Sequence, residues 1–364
     1  MQPSQATALR RGWTTGACAT AATKAAYGAL LTGAFEDPVT IALPGGQTPA
    51  FALAREALGD DSASAGIVKD AGDDPDVTHG ALVLATVRRA ASGSGIAFAA
   101  GEGVGRVTRD GLPLAVGEPA INPVPRRMMT AVVQELAAAH GTVADLTIEI
   151  SIPGGEAMAR HTMNGRLGIL GGLSVLGTTG VVIPFSCAAW IASIHRGIDV
   201  ARAAGLEHLA AATGSTSEAA VQRLYGLPET ALIDMGDFAG GTLKYLRRHP
   251  VPRLSLAGGF GKISKLAQGH LDLHSGRSQV DTPWLAERLR RLGASEAEAI
   301  DAAAANTALA VLRQAQRLGL PLADAVAMEA SRVCRDIVGD SVAIEVLIFD
   351  REGGLVGRSD GATA

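Results

Sequence analysis

The sequence predicts two domains, an α+β domain over residues 1–160 and a doubly wound α/β domain over residues 161–364. Three observations support this fold class. Of the 364 residues, 47% are hydrophobic, which is enough for a core in each domain. Strand, loop and helix alternate in the second half, as is typical of Rossmann-like units. Glycine is frequent (45 residues) and proline is not (16 residues), which favours tight turns over disorder.

The elements of the N-terminal domain follow from capping residues and apolar patterns. Thr14 or Thr15 supplies a hydroxyl that suits an N-cap, so the first helix is predicted to begin there and to end before Gly33. Short apolar segments predict strands, and a longer pattern predicts a second helix. The predicted strands cover residues 39–43, 81–88 and 147–152, and the second helix covers about 126–139.

Helices and strands alternate in the C-terminal domain. A helix over about 188–204 precedes an apolar strand at 208–212, and the polar stretch TGSTSE then begins a helix that ends at Tyr225. An apolar run at 231–235 and a strand at 254–257 come next. In the tail, a capping-box signal at Ser295 and Glu298 predicts one helix to Leu318. A further helix over about 322–338 and a strand at 342–349 complete the domain.

Composition excludes several classes of protein. A formal net charge of -4, with only three tyrosines and three tryptophans, makes nucleic acid an unexpected partner. The three cysteines are far apart in sequence, so they predict neither a disulfide framework nor a metal site. The sequence contains neither a long unbroken apolar stretch nor the apolar core of a signal peptide, so we expect a cytoplasmic protein with no membrane partner.

A glycine-rich segment, GRLGILGGLSVLGTTG, occupies residues 165–180. Glycine weakens both helices and strands, so such a segment is expected where the backbone turns sharply or approaches something closely. Two interpretations stay open from the segment alone. It is a loop that binds a ligand, or it is a set of tightly packed turns between buried strands.

Three polar segments have unusually many functional side chains: GWTTGACATAATKAA (12–26), VKDAGDDPDVTHG (68–80) and GEPAINPVPRRMM (117–129). Together with residues 153–186 they resemble the CbiD family, the cobalt-precorrin-5B C(1)-methyltransferases of cobalamin biosynthesis. The resemblance extends from about Leu9 to the region of Ser275 and is less distinctive beyond. It implies methyl transfer from S-adenosylmethionine to C-1 of cobalt-precorrin-5B, which yields cobalt-precorrin-6A. Cobalt is then part of the corrinoid substrate, and the protein needs no metal of its own.

The joint between the predicted strand at 208–212 and the next helix is the candidate cofactor site. Backbone amides at a helix N-terminus attract anions such as the carboxylate of S-adenosylmethionine. Asp234 ends the next apolar run, where a carboxylate can accept hydrogen bonds from a ribose. An ordinary capping box at Ser215 and Glu218 is the alternative. The predicted cofactor-binding residues are Thr213, Gly214, Ser215, Thr216, Glu218, Asp234, Gly258 and Gly259.

The last two of these belong to GGFGK (258–262), which also follows a strand and precedes a helix. It is not a Walker A loop, because Leu256 occupies the first glycine position and Ile263 replaces the required Ser or Thr. The sequence also contains no GxGxxG, which counts against a nicotinamide-dependent oxidoreductase, one of two alternative functions. The other is a non-catalytic corrinoid carrier, which would not need a methyl-donor site.

The acidic segment KDAGDDPDVTHG supplies the candidate general bases Asp70, Asp73 and His79. Crowded carboxylates raise one another's pKa, which suits a base, and they also suit a hard cation. A solvated acidic turn is the simpler interpretation. The segment fails the calcium-loop pattern, since it lacks the glycine at the sixth position and the distant glutamate. The resemblance favours a loop that faces the substrate.

Arginine side chains are the predicted partners of the corrinoid's carboxylates, because their forked geometry binds carboxylates in pairs of hydrogen bonds. Arg126 and Arg166 are the main candidates, and a surface ion pair or a helix-capping contact is the alternative for each. The predicted substrate-binding residues are Thr14, Thr15, Lys69, Asn122, Arg126, Asn164, Arg166, Thr178 and Thr179. The sequence leaves the oligomeric state open, a homo-oligomer included.

The stretch HLDLH (270–274) places His270, Asp272 and His274 on one face if it is extended. These three residue types are common metal ligands. The polar face of an amphipathic strand is the interpretation we favour, since no further ligand cluster accompanies them.

Overall fold

A computed structural model describes residues 9–359 of the chain. It divides into two compact units, Met1–Ser186 and Cys187–Ala364. The sequence placed the boundary near residue 160, whereas this division places it after the glycine-rich segment. The reason is strand pairing, because Ile169–Leu170 pairs with Arg106–Val107 and Val181–Val182 pairs with Gly12–Trp13. The glycine-rich segment is therefore part of the N-terminal unit.

The N-terminal unit is α+β, as predicted. Its strands are β1 (Gly12–Trp13), β2 (Val39–Thr40), β3 (Ala50–Phe51), β4 (Arg55–Leu58), β5 (Ser62–Val68), β6 (Leu82–Arg89), β7 (Ile96–Ala100), β8 (Arg106–Val107), β9 (Leu146–Ser151), β10 (Ile169–Leu170) and β11 (Val181–Val182), and its helices are α1 (Thr15–Thr32), α2 (Pro123–Ala139) and α3 (Gly155–Ala159). The main sheet has the order β4-β5-β6-β9-β7 and is antiparallel except between β7 and β9.

Helix α1 lies at the centre of the N-terminal unit. Thr14 is its N-cap, and the Thr14 hydroxyl accepts a hydrogen bond from the Ala17 backbone N–H at 3.2 Å. Gly33 ends the helix in the left-handed conformation at φ 84°. Both ends agree with the sequence prediction. Most of its residues are small and buried, so α1 packs closely against α2 and the main sheet.

The C-terminal unit is a parallel sheet with helices on both faces. Its strands are β12 (His208–Ala212), β13 (Leu232–Asp234), β14 (Arg253–Gly259), β15 (Ala343–Phe349) and β16 (Leu355–Arg358), and its helices are α4 (Cys187–Ala203), α5 (Ser215–Tyr225), α6 (Ala239–Arg248), α7 (Phe260–Ala267), α8 (Thr282–Arg291), α9 (Glu296–Ala303), α10 (Ala308–Arg317) and α11 (Leu322–Val338). A 3₁₀ turn, Glu229–Ala231, precedes β13.

The strand order β13-β12-β14-β15-β16 confirms the doubly wound prediction. The first four strands are parallel, and only β16 is antiparallel to its neighbour. Helix α5 packs on one face of the sheet, while α4, α6, α7 and α11 share a core on the other. From β12 the chain moves outward to β13 and then returns to the opposite side of β12 to form β14. The strand order therefore reverses between β12 and β14.

The predicted tail helix from Ser295 to Leu318 is two helices, α9 and α10. Its start is confirmed, because the Ser295 hydroxyl and the Glu298 carboxylate form the expected capping box. The break arises at Thr307, whose hydroxyl accepts a hydrogen bond from the Ala310 backbone N–H at 3.2 Å and so caps a new helix. Within residues 9–359, no helix is long and apolar enough to span a membrane.

The stretch HLDLH is irregular and leads into a turn at residues 275–277, so the strand predicted for it is wrong. The Asp272 carboxylate accepts hydrogen bonds from the His274 backbone N–H at 3.1 Å and from Arg277 at 3.0 Å. His274 Nδ1 in turn accepts from the Gly276 backbone N–H at 3.1 Å. These local hydrogen bonds replace the pairing that a strand would need.

Candidate functional site

The carboxyl ends of three parallel strands form one edge of the C-terminal sheet. Ala212 ends β12 and is in register with Asp234 of β13 and with Ala257 of β14. Ligands of open α/β sheets bind outside the carboxyl ends of the strands, where the strand order reverses. That position here lies between β12 and β14. The predicted cofactor-binding residues all follow or end these three strands.

Gly214 and Gly259 border open space at this edge. Gly214 is the N-cap of α5 and Gly259 is the N-cap of α7, and neither helix start has a side-chain cap. A Cβ atom built on either glycine would meet nothing within 4 Å. The amino ends of two helices, which carry backbone N–H groups without intrahelical partners, therefore border free space at their cap residues, with Ser215 and Thr216 exposed nearby.

The alternative capping box at Ser215 and Glu218 is wrong. Ser215 is the first residue of α5, and the cap before it is Gly214, which has no side chain. Glu218 lies in the first turn, and its backbone N–H donates to the Gly214 carbonyl at 3.0 Å. The Ser217 hydroxyl donates to the same carbonyl at 2.9 Å. The polar stretch thus leaves the amino end of α5 uncapped by a side chain.

Gly258 and Thr213 differ from their neighbours because they pack against each other. A Cβ on Gly258 would lie 2.8 Å from the Thr213 hydroxyl oxygen and 2.9 Å from a methyl carbon of Ile263. Both residues are buried. They hold the ends of β12 and β14 close together, while any contact of theirs with a ligand stays a prediction.

Sequence reasoning missed three residues at this edge. Lys262 Nζ donates to the Thr213 carbonyl at 2.8 Å and lies 3.0 Å from the Asp237 carboxylate. The Trp190 ring lies against Gly236, and its Nε1 donates to the Asp234 carbonyl at 3.2 Å. Asp237 lies three residues after Asp234, so its place near the end of β13 could have been predicted from the sequence. No sequence pattern indicates that Trp190 contacts β13.

In the N-terminal unit, Asp70 and Asp73 fasten the chain segment that precedes β1. The Arg10 guanidinium binds both carboxylate oxygens of Asp70, and the Asp73 carboxylate accepts from the Arg10 backbone N–H at 2.6 Å. The hydrogen bonds from Arg10 and from the Gly72 backbone lower the pKa of Asp70 to about 2. Asp70 is therefore a carboxylate throughout the neutral range and a very weak base.

His79 is differently placed from the two aspartates. Its Nδ1 accepts a hydrogen bond from the Ala71 backbone N–H at 3.1 Å, which puts the proton of the neutral ring on Nε2. About half of the side chain is exposed, and Nε2 makes no hydrogen bond within residues 9–359. His79 therefore presents one ring N–H that can donate a hydrogen bond, whereas its other ring nitrogen is occupied.

Lys69 is enclosed by the protein. Its side chain is 1% exposed, and its Nζ lies 2.5 Å from the Asp76 carboxylate. Burial raises the pKa of Asp76, but the hydrogen bonds from Lys69 and Thr78 outweigh it, so the pKa is lowered. The pair fixes the acidic segment from inside. A direct contact of Lys69 with substrate stays a prediction.

Each guanidinium nitrogen of Arg126 donates a hydrogen bond within the protein. Its three guanidinium nitrogens donate to the Ile121 carbonyl at 2.8 Å, the Glu118 carboxylate at 2.6 Å and the Pro119 carbonyl at 3.0 Å. This supports the alternative of a structural arginine. The neighbouring Asn122 is the N-cap of α2, yet its side chain makes no capping hydrogen bond and no other within residues 9–359.

Much of the glycine-rich segment consists of packed turns. A Cβ on Gly172 would lie 2.3 Å from the Gly103 backbone, and one on Gly177 would lie 2.2 Å from the Thr14 hydroxyl. Asn164 is buried and donates to the Gly172 carbonyl at 3.2 Å. Close approach of backbones explains these glycines. The remaining predicted residues divide into buried Thr15, partly buried Arg166, and exposed Thr178 and Thr179.

Comparison with known proteins agrees with the resemblance seen in the sequence. The CbiD family model matches residues 2–184, and the model for the CbiD C-terminal domain matches residues 272–360. A protein of Paramagnetospirillum magneticum named cobalt-precorrin-5B C(1)-methyltransferase is 63% identical over 96% of this chain and 98% of its own length. The chain belongs to the CbiD family.

A second relative covers the chain equally well, and a solved structure covers part of it. A cobalt-precorrin-5B C(1)-methyltransferase of Bradyrhizobium sp. is 62% identical over 97% of this chain and 94% of its own length. A solved structure, the cobalamin biosynthesis protein (cbiD) from Archaeoglobus fulgidus, is 25% identical, covers 74% of this chain and 83% of that chain, and has a TM-score of 0.39. The match to the C-terminal family model over residues 272–360 covers the tail, where the sequence motifs were less distinctive.

Proposed function

We propose that this protein transfers a methyl group from S-adenosylmethionine to C-1 of cobalt-precorrin-5B, which yields cobalt-precorrin-6A in cobalamin biosynthesis. The observation that carries the proposal is 63% identity over nearly the whole chain to a protein with that name. The reaction is an in-line displacement, in which the ring carbon bonds to the methyl group while the carbon–sulfur bond breaks. S-adenosylhomocysteine leaves with the electron pair on sulfur. Catalysis then consists mainly of positioning the two reactants and excluding water.

The methyl donor is proposed to bind at the carboxyl edge of the C-terminal sheet. Its carboxylate would meet the helix N-termini at Gly214 and Gly259, where a Cβ would find open space. Asp234 would accept hydrogen bonds from the ribose hydroxyls. Thr213 and Gly258, packed behind them, would keep the two strand ends at a fixed separation.

Replacing Gly214 by valine is expected to weaken binding of S-adenosylhomocysteine at least tenfold, or by about 1.4 kcal/mol. The Gly214 backbone is extended at φ 170°, which valine adopts freely, so the new side chain would occupy ligand space without straining the fold. Titration calorimetry on the wild type and the variant, with NADH as a second ligand, measures the effect.

Gly165→Val is the matched control, because a Cβ at Gly165 also meets nothing within 4 Å but lies in the other unit. Binding of S-adenosylhomocysteine alone, lost only in Gly214→Val, supports the proposed donor site. Equal affinity in all three proteins would exclude that site. Binding of NADH alone would instead favour the oxidoreductase.

We propose that His79 serves the reaction as a hydrogen-bond donor to the substrate through its Nε2–H, because its other ring nitrogen already accepts from the Ala71 backbone N–H. His79→Ala is then expected to slow single-turnover methyl transfer about tenfold, the loss of one hydrogen bond. Asp70→Asn is expected to change the rate less than about threefold, since a carboxyl group with a pKa of about 2 contributes little as a base. Equal rate losses in the two variants would contradict this assignment and point to a shared structural role of the segment.

A further inference from the structure

A cleft of about 390 Å³ lies on the N-terminal unit, between α1, α2 and the chain after β2. Its floor is apolar and includes Ile41, Leu43 and Val132, all of them nearly buried. The volume falls within the range of about 300–1,000 Å³ that is usual for small-molecule sites. The described residues thus provide a preformed apolar surface outside the proposed donor site.

Helix α2 lines the cleft with one apolar row of side chains and one row that is charged at both ends. Residues 124, 128 and 132 form one row of the helix, and residues 127, 131 and 135 form the adjacent row, because positions four apart lie on the same face. The first row is apolar. The second begins with Arg127, passes through the small, exposed Ala131 and ends at Glu135. Arg127 and Glu135 are about 12 Å apart along the helix axis, so the end of the cleft at Arg127 is cationic.

Arg127 differs from the adjacent Arg126 in having no internal partner. Its side chain is exposed and makes no hydrogen bond or ion pair within residues 9–359. Two further polar groups border the cleft. Lys24 Nζ donates to the Thr40 carbonyl at 2.8 Å and has donors to spare, and Thr178 is exposed. The cleft therefore combines an apolar floor with a free guanidinium, an ammonium and a hydroxyl.

From this combination we infer that the cleft binds the corrinoid substrate, with the macrocycle edge on the apolar floor and a ring carboxylate paired with Arg127. This inference rests on the proposed function, which supplies a flat, largely apolar ring with carboxylate side chains as the ligand. An arginine fork pairs with such a carboxylate through two parallel hydrogen bonds. Arg127, and not Arg126, is then the arginine that recognises substrate.

The test uses the full-length protein and cobyrinic acid, a corrinoid polycarboxylate, as the probe. Arg127→Gln is expected to weaken its binding about tenfold or more, since a charge-assisted pair is lost. Ala131→Trp is expected to weaken it at least as much, because the indole would fill the cleft from an exposed helix position. Equilibrium dialysis, followed by the absorbance of the corrinoid, gives the affinities.

Two matched controls separate local from general effects. Arg55→Gln removes an exposed arginine on β4, and Gln134→Trp adds an indole to an exposed position of α2 that does not line the cleft. Wild-type affinity in both controls, with losses in both cleft variants, supports the inference. Wild-type affinity in the cleft variants, or failure of the wild-type protein to bind cobyrinic acid, would overturn it.

A methyl-transfer assay on the same proteins distinguishes the two proposals. If the wild type turns over and Ala131→Trp turns over equally fast at low substrate concentration, the proposed function is supported. The cleft is then not the substrate-binding site. Absence of turnover in the wild type, with cobyrinic acid still bound at the cleft, would overturn the methyltransferase and leave a corrinoid-binding protein. Binding of S-adenosylhomocysteine is expected to be unchanged in every cleft variant.

Discussion

Replacing Glu345 by glutamine is expected to lower the free energy of unfolding of the C-terminal unit by about 2–4 kcal/mol. The Glu345 side chain is 3% exposed and lies in β15. Its carboxylate accepts hydrogen bonds from the Tyr225 hydroxyl at 2.5 Å and the Ser255 hydroxyl at 2.9 Å. Both hydroxyls donate to the same oxygen, Oε2, so a glutamine oxygen there could still accept from them, but it is uncharged and accepts more weakly. The amide nitrogen would then take the place of Oε1 and face the Arg358 guanidinium, donor against donor.

Two arginines make the loss larger. Arg253 donates to Glu345 at 3.0 Å, and Arg358 on β16 makes a second ion pair with it. The neutral amide retains neither charge interaction. Because both guanidinium groups remain about half exposed, they regain water in the variant, which keeps the cost below that of a fully buried broken pair.

The same network predicts how stability depends on pH. Burial raises the pKa of Glu345, but hydrogen bonds from Tyr225, Arg253, Ser255 and Arg358 outweigh it, so its pKa is lower than usual. A carboxyl group whose folded pKa is depressed stabilises the fold above its unfolded pKa of about 4.3 and loses this contribution as pH falls through the folded value. The stability difference between wild type and Glu345→Gln should therefore shrink below about pH 4.

Urea unfolding in a Trp13→Phe background measures the effect, since the two remaining tryptophans, Trp190 and Trp284, both lie in the C-terminal unit. Glu352→Gln is the matched control, because Glu352 is exposed and its side chain makes no hydrogen bond or ion pair within residues 9–359. A midpoint unchanged in both variants, or changed equally, would contradict the assigned role of the Glu345 network.

The sequence predicted the C-terminal fold well because each signal there is local. The capping box at Ser295, the apolar strand at His208–Ala212 and the loops after β12 and β14 are each encoded within a few residues. The break at Thr307 was missed because alanine-rich sequence continues on both sides of it, and only the cap hydrogen bond shows that a new helix begins. Strand β4 was missed because all four of its residues are exposed, and strand β7 because its five residues are all apolar and do not alternate with polar ones.

The candidate sites divide in the same way. Gly214, Gly259 and Asp234 were found because the ends of parallel strands can be located from the sequence. The distinction between Arg126 and Arg127 was beyond reach, because it depends on which guanidinium finds carbonyls and Glu118 after folding. The burial of Lys69 likewise depends on its ion pair with Asp76, and no pattern in the sequence predicts that pair.

Substituting alanine for Gly103 is expected to destabilise the N-terminal unit by more than about 3 kcal/mol. Gly103 has φ +72°, which an L-residue adopts at a cost, and its Cβ would lie 1.9 Å from the Ile152 carbonyl oxygen. A Cβ atom built on Gly155 or on Gly172 would likewise lie 2.3 Å from the Gly103 backbone. To relieve the overlap, the backbone at Gly103 would have to move away from the segment that contains Ile152 and Gly155 and from the glycine-rich segment at Gly172. Hydrogen exchange of β6 and β9 measures the loss.

Gly117→Ala isolates the cost of the overlap from the cost of the backbone conformation. Gly117 has φ +91°, in the same region as Gly103, but a Cβ there meets nothing within 4 Å. Its substitution should therefore cost about 1–2 kcal/mol, the conformational part alone. An equal loss in both variants would mean that backbone conformation accounts for Gly103, and the close approach of the three segments would then contribute nothing measurable. A larger loss in Gly103→Ala assigns the difference to that approach, and with it the anchoring of the glycine-rich segment in the N-terminal unit.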